Sequence, residues 1–287
     1  MAILLTGGTG KTSMHIARSL QESNIPFLLA SRKVEAAAPL GMPATNFDWL
    51  DSSTYENPFK HEHLHGERIS VVYLVAPEVQ DPAPSMNAFI DVAVKKHGVK
   101  RFVLLSSTLV TKGGHYTGQV WQHMEDIGVD HTVLLATWFM ENFSIHLHQI
   151  TIKKESKIYS ACENGKIPFV STADIAAVAF HALTDVKPRN TNYRILGPEL
   201  LTYDEIATRF STVLGREVVH IKRSEQERVE QFMSTHMPEQ FAKFITSIEV
   251  SSANGAEDRM NDVVEKVTGR PPKQFDAWVE ENKTAWQ

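Results

Sequence analysis

The chain has little of several things, and each scarcity excludes something. A single cysteine, Cys162, leaves no disulfide to form within the chain, so a reducing compartment is expected. Positive charge is not in excess: 29 Lys and Arg stand against 34 Asp and Glu, a formal net charge of -5. That balance speaks against a nucleic-acid partner. No apolar run is long enough to span a bilayer, and the run at the N-terminus is too short for a signal peptide. A cytoplasmic protein without a membrane partner is expected, as a monomer or homodimer. One further absence concerns chemistry. No tyrosine has a lysine four residues on, and at that spacing Tyr116 is followed by Val120. A tyrosine–lysine pair for handing a proton to a reduced carbonyl is therefore missing.

What is present begins at once. Ala2-Ile3-Leu4-Leu5 is an apolar run of strand length, and it ends in Thr6-Gly7-Gly8-Thr9-Gly10-Lys11-Thr12-Ser13. Ile16, Ala17 and Leu20 then fall on one face of a helix. Strand, glycine turn and helix form the setting of a dinucleotide fingerprint, in which Gly7 makes the turn and Gly10 leaves room for a pyrophosphate. The helix N-terminus offers unpaired N–H groups and the positive end of its dipole to phosphates. Ser13 holds the third glycine position, small enough for close helix–strand packing. Gly10-Lys11-Thr12 imitates the end of a P-loop, but Leu5 stands where that motif needs its first glycine.

The chain goes on as alternating strands and helices. A second strand is expected over 27–32, ending in Ser31 and Arg32, where an NAD site usually carries an acid for the ribose hydroxyl. A hydroxyl and a guanidinium suit a 2′-phosphate, so NADP(H) is the expected cofactor. A third strand is expected over 46–50, with Asp48 and Trp49 beside the adenine. The run 69–77 is expected as a parallel strand, its end at Val75, Ala76 and Pro77 near the middle of the cofactor. A helix over 86–96 leads to a strand over 101–108 that ends in hydroxyls, which makes Ser106 and Thr108 catalytic candidates. His123, on the following helix, is a third candidate, as an acid near neutral pH or as a hydrogen-bonding partner of the substrate. After a strand over 131–137 comes Trp138-Phe139-Met140-Glu141-Asn142-Phe143, read as the wall of a pocket for a large flat ligand. Trp138, Phe139, Met140 and Asn142 would line it, faced by Trp121 and His123. A short strand is expected over 167–170, a helix from Thr172 to Leu183, and a strand at 193–196. From Thr202 the pattern turns helical. His61-Glu62-His63-Leu64-His65 matches H-E-x-x-H, but Gly66 ends the helix and no third ligand lies beside it, so no metal is expected.

These features imply an α/β fold: a doubly wound, mostly parallel Rossmann sheet with a smaller, mainly helical C-terminal lobe. The boundary is placed after residue 198, giving a dinucleotide-binding domain over 1–198 and a substrate-binding lobe over 199–287.

Almost the whole chain resembles the NmrA-like branch of the short-chain dehydrogenase superfamily, and within it the fungal ergot-alkaloid reductases. The resemblance is carried by 5–10, Phe47-Asp48-Trp49-Leu50, 102–106, Thr137-Trp138-Phe139-Met140-Glu141-Asn142, Asn164-Gly165-Lys166-Ile167-Pro168-Phe169 and Gly197-Pro198-Glu199-Leu200-Leu201. It implies NADPH-dependent reduction of a C=N+ bond in a polycyclic indole alkaloid. Some relatives look like redox-linked cyclases that close bridged prenylated indole alkaloids by a [4+2] step, and others look like NADP(H)-binding regulators. Leu135-Ala136 stands where the ergot enzymes carry Arg-Pro, and 120–125 keeps one of two expected histidines and adds Trp121. Both departures point to a changed substrate within the same chemistry. The missing tyrosine–lysine relay fits C=N+ reduction, which leaves no oxyanion to protonate; it fits binding without turnover equally well.

Overall fold

Apolar runs without polar alternation become strands covered on both faces. In the computed structural model, which describes residues 1–34, 41–62 and 66–287, strand β1 (Ala2–Thr6) is buried along its whole length. It lies between β2 (Phe27–Ser31) and β4 (Ile69–Leu74), parallel to both. With β3 (Ala44–Asn46), β5 (Arg101–Ser107), β6 (Asp130–Ala136) and β8 (Thr191–Ile195) they form a seven-stranded sheet in the order β3-β2-β1-β4-β5-β6-β8. Every pairing in it is parallel. The order reverses between β1 and β4, and a ligand is received in the crevice outside the carboxyl ends at such a switch point.

Helices cover both faces. Helices α1 (Lys11–Glu22) and α5 (Thr172–Thr184) pack side by side, as do α2 (Ala83–His97) and α3 (Thr117–Asp126). The core beneath α2 and α3 takes Leu4, Leu28, Val72, Leu74, Phe102, Leu104 and Val133 from the strands, with Met86, Phe89 and Met124 from the helices. Two strand boundaries differ from the sequence expectation. β3 is Ala44–Asn46 rather than 46–50, because the Asp48 N–H leaves the ladder for Thr54 Oγ1 at 2.9 Å. Phe47, Trp49, Tyr55 and Phe89 then pack as one aromatic cluster, with ring centroids 4.9–5.6 Å apart. The run expected over 69–77 ends as a strand at Leu74.

The chain divides into two compact units: Met1–Ala136 with Thr172–Ile195, and Thr137–Ser171 with Leu196–Gln287. The boundary expected after residue 198 is thus replaced by a discontinuous second unit. Aromatic packing is the reason. Phe143 and Phe169 share a core with Tyr203, Phe210, Phe275, Trp278 and Trp286. Trp286 is fully buried, and its indole N–H donates to the Phe143 carbonyl at 2.8 Å.

The elements of the second unit are α4 (His146–Glu155), β7 (Lys157–Ser160), α6 (Tyr203–Leu214), β9 (Val219–Lys222), α7 (Glu225–Met233), α8 (Glu239–Ala253), α9 (Val263–Thr268) and α10 (Phe275–Asn282). β7 and β9 pair in parallel as a separate two-stranded sheet, which the sequence reading missed. The strand expected over 167–170 forms only single bridges, Phe139 with Val170 and Ile167 with Leu201. α6 and α7 open with complete capping boxes, Thr202 with Glu205 and Ser224 with Glu227. Arg228 and Glu249, each 1 % exposed, form an ion pair between α7 and α8 at 2.8 Å. The Glu249 carboxylate also accepts the Ala161 N–H at 2.7 Å, and the guanidinium lies 4.0 Å from the Phe232 ring centroid.

Candidate functional site

The first unit gathers most of the expected site at the carboxyl ends of its strands. Gly7 sits at φ +64°, a conformation L side chains rarely adopt, and a Cβ there would meet Val75 Cβ at 3.1 Å. A Cβ on Gly10 would lie 2.8 Å from the Gly7 carbonyl oxygen, which accepts the Gly10 N–H at 2.6 Å. Gly8 is buried, donating to the Ala30 carbonyl at 3.0 Å, while Gly7, Thr9 and Gly10 are exposed. The turn therefore shows its backbone to solvent.

Unlike α6 and α7, α1 starts with no side-chain cap and no acidic residue in its first turn. Its leading N–H groups have no partner within the helix, and nothing nearby in sequence neutralises them. Such a helix start is suited to an anion such as a pyrophosphate. Ser13, as expected, closes helix against strand: its hydroxyl donates to the Thr6 carbonyl at 2.9 Å.

Two expected cofactor contacts are instead used inside the fold. Thr6, fully buried, donates to the Tyr73 carbonyl at 2.9 Å and accepts the Val75 N–H at 2.8 Å, which ties β1 to the end of β4. Thr12 is 4 % exposed and accepts the Tyr73 hydroxyl at 3.1 Å. Tyr73, which the sequence reading passed over as strand core, thus anchors the helix start from below. Lys11 is half-buried at the first position of α1.

At the end of β2, Ser31 is half-buried and accepts the Lys33 N–H at 3.1 Å. Arg32 and Lys33 are exposed, and Arg32 makes no ion pair among the described residues. The residue types and exposure fit a 2′-phosphate. Trp49 is core: 7 % exposed, its indole N–H donates to the Val75 carbonyl at 3.1 Å. It supports the loop Val75, Ala76 and Pro77 from behind. The Asp48 carboxylate accepts the Leu50 N–H at 2.9 Å.

Ser106 Oγ lies 2.7 Å from Thr117 Oγ1, joining the end of β5 to the start of α3. Thr108 is 5 % exposed; its N–H donates to Ala136 and its carbonyl accepts from Arg194. Tyr116 donates its hydroxyl to the Pro77 carbonyl at 3.3 Å, a contact the sequence reading did not find. Burial pushes the Tyr116 phenol up from its usual range, and Glu78 adds to that. His123 faces α2, where its Nε2 meets Asp91 Oδ1 at 2.9 Å. The Lys95 ammonium, and His123 after it, hold Asp91 below the usual carboxylate range. A ring nitrogen of this candidate is thus bound to a carboxylate of the same unit. Trp121 is half-buried against the first unit's core.

The other expected lining residues belong to the second unit. Met140 is fully buried in its core rather than walling a pocket, and its N–H donates to the Val170 carbonyl at 2.9 Å. Trp138 is half-buried against the same core, Phe139 bridges to Val170, and Asn142 is half-buried in the following turn. Ser160, His220 and Asp204 reproduce the pairing of a hydrolytic triad, at 2.9 and 2.8 Å. Ser160 is fully buried, however, and its Oγ accepts the Cys162 N–H at 3.2 Å, so the three tie β7, β9 and α6 together.

Of the histidine-rich segment, His63, Leu64 and His65 lie outside the described residues; His61 has its Nε2 3.1 Å from the Ala44 carbonyl. Among the described residues no group of three His, Cys, Asp or Glu could hold a metal, and no helix is long and apolar enough to cross a membrane.

The architecture and the sequence have known counterparts. Agroclavine dehydrogenase of Claviceps fusiformis is 43% identical over 294 residues, covering 100% of this chain and 99% of that one. Festuclavine synthase II of Penicillium roqueforti is 41% identical over the full length of both. Among solved structures, an NADPH-dependent quinone oxidoreductase of Escherichia coli complexed with NADPH has a TM-score of 0.79 at 21% identity, covering 97% of this chain and 99% of that one. The Citrobacter triphenylmethane reductase complexed with NADP(H) has a TM-score of 0.78 at 20% identity, covering 98% and 100%. The family model described as the NmrA-like family matches residues 1–279, and with full-length relatives above 40% identity the chain belongs to that family.

Proposed function

We propose that this protein is an NADPH-dependent oxidoreductase that reduces the C=N+ bond of a polycyclic prenylated indole alkaloid. The observation that carries the cofactor half is the uncapped, exposed glycine turn at the start of α1, with Arg32 exposed at the end of β2. Gly7, Thr9 and Gly10 would admit the pyrophosphate, and Ser31 and Arg32 the 2′-phosphate. NADPH, when bound there, supplies a hydride.

The substrate half is supported by full-length relatives named agroclavine dehydrogenase and festuclavine synthase. The proton balance supports it too. When hydride adds to the carbon of an iminium, the C=N π pair becomes the nitrogen lone pair and a neutral amine forms. No proton donor is needed, whereas an alkoxide would need one. The chain has no tyrosine–lysine pair, and His123 is engaged with Asp91. What the protein has to supply is orientation and exclusion of water.

The test is incubation of the protein with NADPH carrying deuterium at nicotinamide C4 and a panel of cyclic indole iminium compounds. Deuterium is expected on the carbon of the former C=N bond, in single turnovers with little solvent isotope effect. Product without label, or NADPH left unconsumed by every iminium, would sink the reductase reading.

A further inference from the structure

Tyr116 occupies a conformation that its residue type resists. Its φ of 60° and ψ of -128° lie outside the regions open to an L residue with a bulky side chain. Glycine adopts such a conformation freely, and the surrounding sequence is rich in it: Gly113, Gly114 and Gly118 all lie within three residues. Gly113, at φ +74°, meets the same kind of demand with a glycine, whereas position 116 carries a tyrosine. Strain of this kind persists only where the surrounding structure enforces it.

The side chain reaches the switch-point crevice. The Tyr116 hydroxyl donates to the Pro77 carbonyl, just beyond β4, and the next residue, Thr117, is bonded to Ser106 at the end of β5. The phenol is half-buried. Glu78 directly follows Pro77 and is exposed, so a carboxylate stands beside the ring. The Tyr116 hydroxyl donates its hydrogen bond to a backbone carbonyl and stays protonated at neutral pH. What remains to offer a ligand is an aromatic face with a negative charge at its edge.

We propose that Tyr116 and Glu78 together receive the positive charge of the substrate, with the phenol face against the C=N+ group and the carboxylate beside it. This rests on the iminium-reductase reading and names residues that would select the charged substrate. A cation over an aromatic face is attracted by the ring quadrupole, more strongly once water is displaced. The carboxylate adds a Coulomb attraction that salt weakens. A neutral ketone of the same shape gains from neither. The pair would therefore prefer the iminium over a carbonyl without any acid.

The experiment is calorimetric binding to the NADP+-loaded protein. One probe is 2-methyl-β-carbolinium, a flat permanently charged indole; the other is carbazole, of similar shape and uncharged. The wild type is expected to bind the cation about tenfold more tightly. Glu78→Gln should lose about three- to fivefold for the cation and nothing for carbazole. Tyr116→Phe, which keeps the ring, should stay within about twofold. Tyr116→Gly should lose about tenfold for the cation and clearly less for carbazole. Its melting temperature should not fall, since glycine accepts the backbone conformation. Equal wild-type affinities for the two probes would overturn the proposal, as would a Tyr116→Gly protein with undiminished preference for the cation. Tyr116→Phe losing as much as Tyr116→Gly would also overturn it, by assigning the effect to the hydroxyl. A preserved cation preference without NADPH consumption on any iminium would instead defeat the reductase reading alone.

Discussion

Single residues here are legible in type and less so in role. Arg32 is the clearest case: a guanidinium at the end of β2, exposed, where an acid would have meant NAD. A charge-assisted contact from it to a 2′-phosphate would be worth roughly 1.5–3 kcal/mol, or about ten- to a hundredfold in affinity. Arg32→Ala is expected to weaken NADPH binding by that factor and leave NADH binding nearly unchanged; equal losses for both would make Arg32 merely structural. Thr6, Thr12 and Trp49 teach the opposite lesson. Sequence position put them at the cofactor, but each spends its polar group on β4 or the loop beyond it. A hydroxyl one residue from a glycine turn reads the same in sequence whether it points at a ligand or at the neighbouring strand. His123 is similar, because its partner Asp91 lies 32 residues away on another helix and no local pattern announces the pair. Tyr116 escaped for a different reason: its significance lies in a backbone angle, which residue order does not carry.

At the scale of elements, long apolar runs and glycine turns are easy to read. β1, β2, β5 and β6 were found within a residue of their ends, and so was the capping box that opens α6. β7 and β9 were missed. Each has only four residues, sits in charged surroundings, and finds its partner far along the chain. Met140 was misplaced because an aromatic-rich segment after a strand looks alike as pocket wall or as core. The pairing of α7 with α8 yields a prediction. Arg228 and Glu249 are both buried, so removing one leaves the other charged and unpaired, at a cost of about 3–5 kcal/mol. Glu249→Ala should show that loss in urea unfolding followed by tryptophan fluorescence. The double variant Arg228→Met, Glu249→Leu should recover most of it, because matched apolar replacement of a buried pair is often near neutral. A single variant within about 0.5 kcal/mol of the wild type would mean that the pair is reached by water.

For the whole molecule, pH is a sensitive variable. Burial pushes the His148 imidazole down to about 3, with Arg228 and His220 acting in the same direction. His148 packs beside Phe143 and Tyr203, with ring centroids 5.3 and 6.1 Å away. Burial also lowers His220, outweighing Asp204. An unfolded chain takes up protons on both histidines near pH 6.5, while the folded chain declines them. Their contribution is therefore complete above about pH 6.5 and is lost progressively as pH falls toward 3. The melting temperature should drop between pH 7.5 and pH 5, above the range where carboxylates titrate, and His148→Phe should flatten part of that slope. A profile unchanged by the substitution would place the sensitivity elsewhere.

The interleaving of the two units has a consequence for how the chain is made. β6 leaves the ribosome long before β8, its parallel neighbour, because the whole Thr137–Ser171 stretch and α5 are translated between them. That stretch in turn waits for Phe210, Phe275 and Trp286. The first unit can close only once β8 has been made, the second only after Phe275 and Trp286, and neither can be excised as one continuous fragment with its core intact. Such nested closure of long-range contacts slows folding and keeps β6 an open sheet edge until late. For a nascent polypeptide this makes Phe275 and Trp286 the latch, and a chain stopped before them would be an aggregation-prone intermediate rather than a shortened folded protein.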